Sequence, residues 1–113
     1  QIVILARCIV QDSPVMLMDE PDSALDFLNR HMVLSKIREL IKEENKAGLI
    51  TLHDPNFAMA YCDRLLLLKE GRLVGALDMR RAKADEVKKK LSLIYGDIEL
   101  LQSGDSFLMG KAL

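Results

Sequence analysis

Val15-Met16-Leu17-Met18-Asp19-Glu20-Pro21-Asp22-Ser23 is the stretch that decides the fold class of this chain. Four apolar residues run without alternation and stop abruptly at two adjacent carboxylates. The run is short and has turn residues on both sides. That suits a central strand covered on both faces, as in a parallel sheet. Upstream, Gln11-Asp12-Ser13-Pro14 breaks the chain. Before it, Ile2 to Val10 reads as the end of a helix, with Leu5, Ala6 and Ile9 on one side.

Downstream, Asp26 is placed to cap a helix from about Phe27 to Glu44. Val33, Ile37, Leu40 and Ile41 form its apolar stripe. Lys46-Ala47-Gly48 is expected to end it, with Gly48 as a left-handed C-cap. Leu49-Ile50-Thr51-Leu52 is a second buried strand that ends at His53. Asp54-Pro55 opens a short helix with Ala58, Met59 and Cys62 inward. Arg64 leads into a third strand, Leu65 to Leu68. Glu70-Gly71 turns it back into Arg72-Leu73-Val74. After Gly75 charge density rises. Val87, Leu91, Ile94 and Tyr95 repeat at helical spacing up to Gly96. A hairpin over Ile98 to Leu101 and Phe107 to Met109 closes the chain. Strands alternating with helices predict an α/β fold with a parallel sheet and flanking helices, followed by a small α+β tail.

The 113 residues carry 16 basic and 17 acidic side chains, a net charge of −1. That length allows one domain. Near-neutrality removes the electrostatic case for nucleic acid as the main partner. No apolar run approaches the roughly 20 residues needed to span a bilayer. Cys8 and Cys62 lie far apart, and as two buried reduced thiols they need no further role; a disulfide or metal role is the other option. Lys88-Lys89-Lys90 reads as a solvated helix face. The apolar start at Gln1 suggests a fragment.

Ligands of open α/β sheets bind beyond the carboxyl ends of the strands. Two such ends are polar here: Asp19-Glu20 and His53-Asp54. Successive side chains on a strand point to opposite sides, so Asp19 and Glu20 can do different jobs. One carboxylate can hold Mg²⁺, which uses few carboxylates and keeps several waters. The other can orient a water for attack on a phosphoryl group, with His53 at the terminal phosphate. Taken singly, the same residues also fit a strand-end turn with a capping acid and an ordinary strand-end histidine.

The combination is more specific. Val15 to Pro21 followed by Ser23-Ala24-Leu25-Asp26 resembles the Walker B motif and D-loop of ABC-transporter ATPases. Leu52-His53-Asp54 resembles that family's switch-histidine loop at the expected spacing. Ala60-Tyr61-Cys62-Asp63-Arg64 and Lys69-Glu70-Gly71-Arg72 are similar to its later strand and hairpin. Ile4-Leu5-Ala6-Arg7 resembles the helix after its LSGGQ signature. The resemblance implies a partial P-loop NTPase fold: residues 1–76 as the C-terminal half of the ATPase core, and 77–113 as a tail. It implies that Asp19 binds the Mg²⁺ of MgATP and that Glu20 polarises the attacking water. It implies that His53 contacts the γ-phosphate and that Asp26 reaches across a head-to-tail dimer. Asp22 stands where the family usually has Thr, an extra carboxylate expected to weaken nucleotide binding slightly. Leu93-Ile94-Tyr95-Gly96 is similar to the end of importer ATPases for iron–siderophore, haem, cobalamin or molybdate.

The resemblance further implies a second nucleotide-binding subunit, permease subunits in the membrane, and a peripheral place on its cytoplasmic face. Two alternatives share these motifs: a chromosome-maintenance or DNA-repair ATPase head, and a non-catalytic remnant serving as an interaction module. No G-x-x-x-x-G-K-[ST] loop and no LSGGQ occur in the 113 residues. Without that phosphate cradle the chain alone is expected to be inactive. Its strands are expected to leave apolar surface uncovered.

Overall fold

The computed structural model describes residues 15–112. The readings placed on Ile2 to Val10, Cys8 among them, lie outside the described residues. The chain divides into two compact units, one ending at Phe57 and the other starting at Ala58.

In the first unit, β1 (Val15–Asp19) pairs in parallel with β2 (Ala47–Thr51), from Val15 opposite Ala47 to Asp19 opposite Thr51. Helix α1 (Phe27–Glu43) connects them. Asp26 caps it: Oδ1 accepts the Asn29 N–H at 2.9 Å. Asp26→Ala is expected to cost about 1 kcal/mol of stability, read as a lower urea midpoint at unchanged slope.

The helix stripe is centred one residue away from the sequence reading. Leu34 and Ile37 are buried, while Val33, Leu40 and Ile41 are half-buried. The helix stop also differs. Asn45, not Gly48, takes the left-handed conformation, with φ 51°. The Lys46 N–H donates to the Ile41 carbonyl and the Asn45 N–H to that of Lys42. This is the Schellman arrangement with Asn at its left-handed position. Gly48 lies inside β2, paired with Met16. A Cβ there would press on Ile41 Cδ1, the end of a side chain that would have to turn aside.

Burial of β1 alternates instead of covering both faces. Met16 and Met18 are 1% and 3% exposed, whereas Leu17 and its register partner Leu49 are 63% and 55% exposed. One face of the pair is covered and the other carries open apolar surface.

Helix α2 (Pro55–Tyr61) begins where the Asp54 carboxylate accepts the Asn56 N–H at 2.8 Å. Phe57 is buried and packs edge-on to Phe27 and against the His31 ring.

In the second unit, β3 (Arg64–Lys69) does not extend a parallel sheet, as the sequence suggested. Among the described residues it pairs antiparallel with β4 (Arg72–Asp78) alone. Glu70 and Gly71 both have positive φ, 53° and 76°, the mirror-image turn whose twist matches a hairpin. Val74 is the extra residue of a bulge, since Leu68 faces Leu73 and Leu67 faces Gly75. Asp78 ends β4. Its carboxylate accepts the Arg80 N–H, and this bond holds the carboxyl below its ordinary range.

Helix α3 (Ala84–Tyr95) and the hairpin β5 (Ile98–Ser103) and β6 (Ser106–Lys111) complete this unit. Its core joins Leu65, Leu67 and Leu77 to Val87 and Leu91 of α3 and to Ile98 and Phe107 of the hairpin. Cys62 is half-buried against this core. β3, before position 76, thus shares one core with α3 and the final hairpin after it. The 76/77 division follows motifs, and packing divides the chain at 57/58. Of the three consecutive lysines, Lys88 and Lys89 are solvated as read, but Lys90 Nζ donates to the Ala76 carbonyl at 2.7 Å. That bond ties α3 to β4.

Candidate functional site

The carboxyl ends of β1 and β2 are neighbours because the strands are parallel and in register. The chemistry therefore gathers at one edge. Asp19 and Thr51 are a cross-strand pair, and the Thr51 hydroxyl donates to Asp19 Oδ1 at 2.6 Å. The same hydroxyl oxygen accepts the Glu20 N–H at 2.8 Å.

At Glu20 the backbone leaves the strand with φ 46°, a left-handed conformation costing a non-glycine residue roughly 1–2 kcal/mol. The reversal is closed by the Ser23 N–H donating to the Glu20 carbonyl at 3.0 Å. Pro21 and Asp22 are buried within it. Past the turn, the Leu25 N–H donates to the Asp22 carbonyl, and Arg30 Nε donates to the Leu25 carbonyl. This turn swings the Glu20 carboxylate to His53, whose Nε2 contacts Glu20 Oε1. His53 stands two residues past the end of β2 and keeps its side chain 89% exposed.

Three of the four residues singled out from sequence thus come together: Asp19, Glu20 and His53. Asp26 does not join them by any contact. It lies beyond the turn, and its carboxylate is engaged in the cap of α1. Thr51 is the residue that sequence reading missed. No sequence signal marked it: Thr51 lies inside the strand read as Leu49 to Leu52, and its hydroxyl gains a role only when that strand lies beside Asp19.

Among the described residues no group of three or more His, Cys, Asp or Glu side chains is arranged to hold a metal. The donor set fits a cation that asks for less. Mg²⁺ takes one or two carboxylates and completes its shell with water and phosphate oxygens. Asp19 is exposed, with one oxygen held by Thr51 and the other open to such an ion. A carboxylate with an open oxygen, a second carboxylate beside it and an exposed imidazole on that second carboxylate are the kinds of group that phosphoryl transfer uses.

No family model matches the chain. Curated relatives do. The hemin import ATP-binding protein of Vibrio parahaemolyticus is 44% identical over 75 residues, covering 62% of this chain and 29% of that protein. A phosphonates import ATP-binding protein of a Nostoc species is 34% identical over 101 residues, covering 89% and 37%. Among solved structures, an inward-facing metal-chelate type ABC transporter matches 94% of this chain and 42% of its own, with a TM-score of 0.72 at 28% identity. A component of an ABC transporter complex of Clostridium perfringens matches 79% and 36%, with a TM-score of 0.63. The chain is similar to part of the ATP-binding proteins of ABC transporters. It spans about a third of the length of the curated relatives it matches. Its α/β architecture is that of part of the ABC ATPase domain.

Proposed function

We propose that this chain carries the metal-, water- and switch-bearing part of an importer ATPase, and that residues 1–76 hold those motifs while 77–113 form a tail. The observation that carries this reading is the meeting of Asp19, Glu20 and His53 at one sheet edge. Asp19 holds Mg²⁺, which supplies charge neutralisation on the phosphates when bound. Glu20 accepts a proton from, and orients, the attacking water. His53 holds the Glu20 carboxylate and meets the γ-phosphate of ATP. Asp26 serves a second nucleotide-binding subunit in a head-to-tail dimer. Transmembrane permease subunits dock on the assembly at the cytoplasmic face of the membrane.

Iron complexes, haem and cobalamin are the cargo class. The tail resemblance supports this, and so do relatives named for hemin, cobalamin and iron chelatin transport. Those names also favour the transporter over a DNA-repair ATPase head. No described helix is long and apolar enough to cross a membrane, which fits a peripheral subunit.

The 113 residues contain no G-x-x-x-x-G-K-[ST] loop and no LSGGQ. Those elements supply the backbone N–H groups that grip phosphates. Purified alone, the chain is expected to release no phosphate from ATP above background. Turnover that vanishes in Glu20→Gln would overturn the inactivity of the isolated chain. A chain bearing the missing loops upstream is expected to turn over, and silence there would count against the whole reading.

A further inference from the structure

We propose that Thr51 is a positioning residue that sets both carboxylates of this edge at once; this rests on the reading of Asp19 and Glu20 given above. Its single hydroxyl is used twice. The proton goes to Asp19 Oδ1 at 2.6 Å, and the oxygen receives the Glu20 N–H at 2.8 Å. The first bond fixes one oxygen of Asp19 and leaves the other for a hydrated cation. The second anchors the peptide of Glu20 where the backbone turns left-handed, φ 46°. That turn delivers the Glu20 carboxylate to His53. One side chain on β2 therefore links the metal carboxylate, the water-orienting carboxylate and the histidine two residues further along its own chain.

The site of the link suits threonine. Thr51 stands opposite Asp19 at the last pair of the parallel ladder, where the strands hold the two side chains adjacent. A β-branched residue on a strand has restricted χ1, so the hydroxyl is held with little further loss of freedom. A hydrogen bond to an ionised carboxylate is of the stronger kind. Valine in its place would keep shape and strand preference and lose both bonds; serine would keep both.

The test uses the 113-residue chain with Mn²⁺ as the probe, read by paramagnetic broadening of the Asp19 and Glu20 amide signals. Hydrogen exchange at the Glu20 amide is followed in parallel. Thr51→Val is expected to weaken Mn²⁺ binding and to accelerate Glu20 exchange, each by about tenfold, the worth of one hydrogen bond. Thr51→Ser is expected to restore both. Amides of β1 and β2 away from the edge report an intact fold, and Thr51→Ala replaces the valine variant if those signals change. Unaltered Mn²⁺ binding in the variant lacking the hydroxyl overturns the positioning role, even where Glu20 exchange rises. Asp19→Asn separates the two levels of the argument. If it abolishes broadening while Thr51→Val does not, the metal reading stands and the Thr51 role falls. If wild type shows no broadening at Asp19, or Asp19→Asn leaves it unchanged, the metal reading fails and takes this proposal with it.

Discussion

Glu20→Gln, in a subunit complete with phosphate loop and signature motif, is expected to lower ATP turnover by about 10²–10⁴-fold, the range for loss of a positioned proton acceptor. The amide has nearly the same shape but cannot take a proton from water. KM for ATP should stay close to its starting value, because Glu20 sits past the end of β1 and is engaged with His53, not with a phosphate grip. Steady-state phosphate release and nucleotide affinity measured on one preparation would check this. A fall in turnover below tenfold would remove Glu20 from the catalytic role. His53→Ala should follow in the same direction, since it removes the contact that holds the Glu20 carboxylate.

The second large effect concerns stability. Leu91 is fully buried at the centre of the core formed by β3, β4, α3 and the final hairpin. Leu91→Ala is expected to cost about 2–5 kcal/mol. A unit that begins at Ala58 is small, and small domains have little stability to lose. For a domain of that size each kcal/mol moves the midpoint by about 4–8 °C, so thermal melting should fall by roughly 8–40 °C. Leu101→Ala is the control. Leu101 is 68% exposed on β5, and its truncation should stay within about 0.5 kcal/mol. Equal losses at both positions would contradict the core described for this unit.

The readings that succeeded rest on local chemistry. Asp26 and Asp54 cap helices because a carboxylate before a helical run satisfies N–H groups that the helix itself leaves bare. Glu70-Gly71 turns a hairpin because neighbouring apolar runs flank a residue pair able to take positive φ. The readings that shifted all depend on neighbours. Gly48 looked like a helix stop, yet Asn45 tolerates the left-handed conformation and ends the helix three residues earlier. The glycine lies inside β2 instead, against the Ile41 side chain. Leu65 to Leu68 pairs through the Glu70-Gly71 turn with the strand that starts at Arg72, as read, yet among the described residues it has no parallel partner.

By itself, the amino-acid order determined which motifs the chain carries: the acids after an apolar run, the histidine after the next, and their spacing along the chain. These follow from short-range rules of strand, turn and cap. Tertiary structure alone decided that Asp19, Glu20 and His53 meet, because only the parallel register of β1 and β2 brings residues more than thirty positions apart to one edge. It alone enlisted Thr51, whose hydroxyl has no sequence signature until Asp19 lies beside it. It also decided which faces are covered. An apolar strand announces that it can be buried, but what lies against each side depends on packing, and here Leu17 and Leu49 stay open while Met16 and Met18 do not.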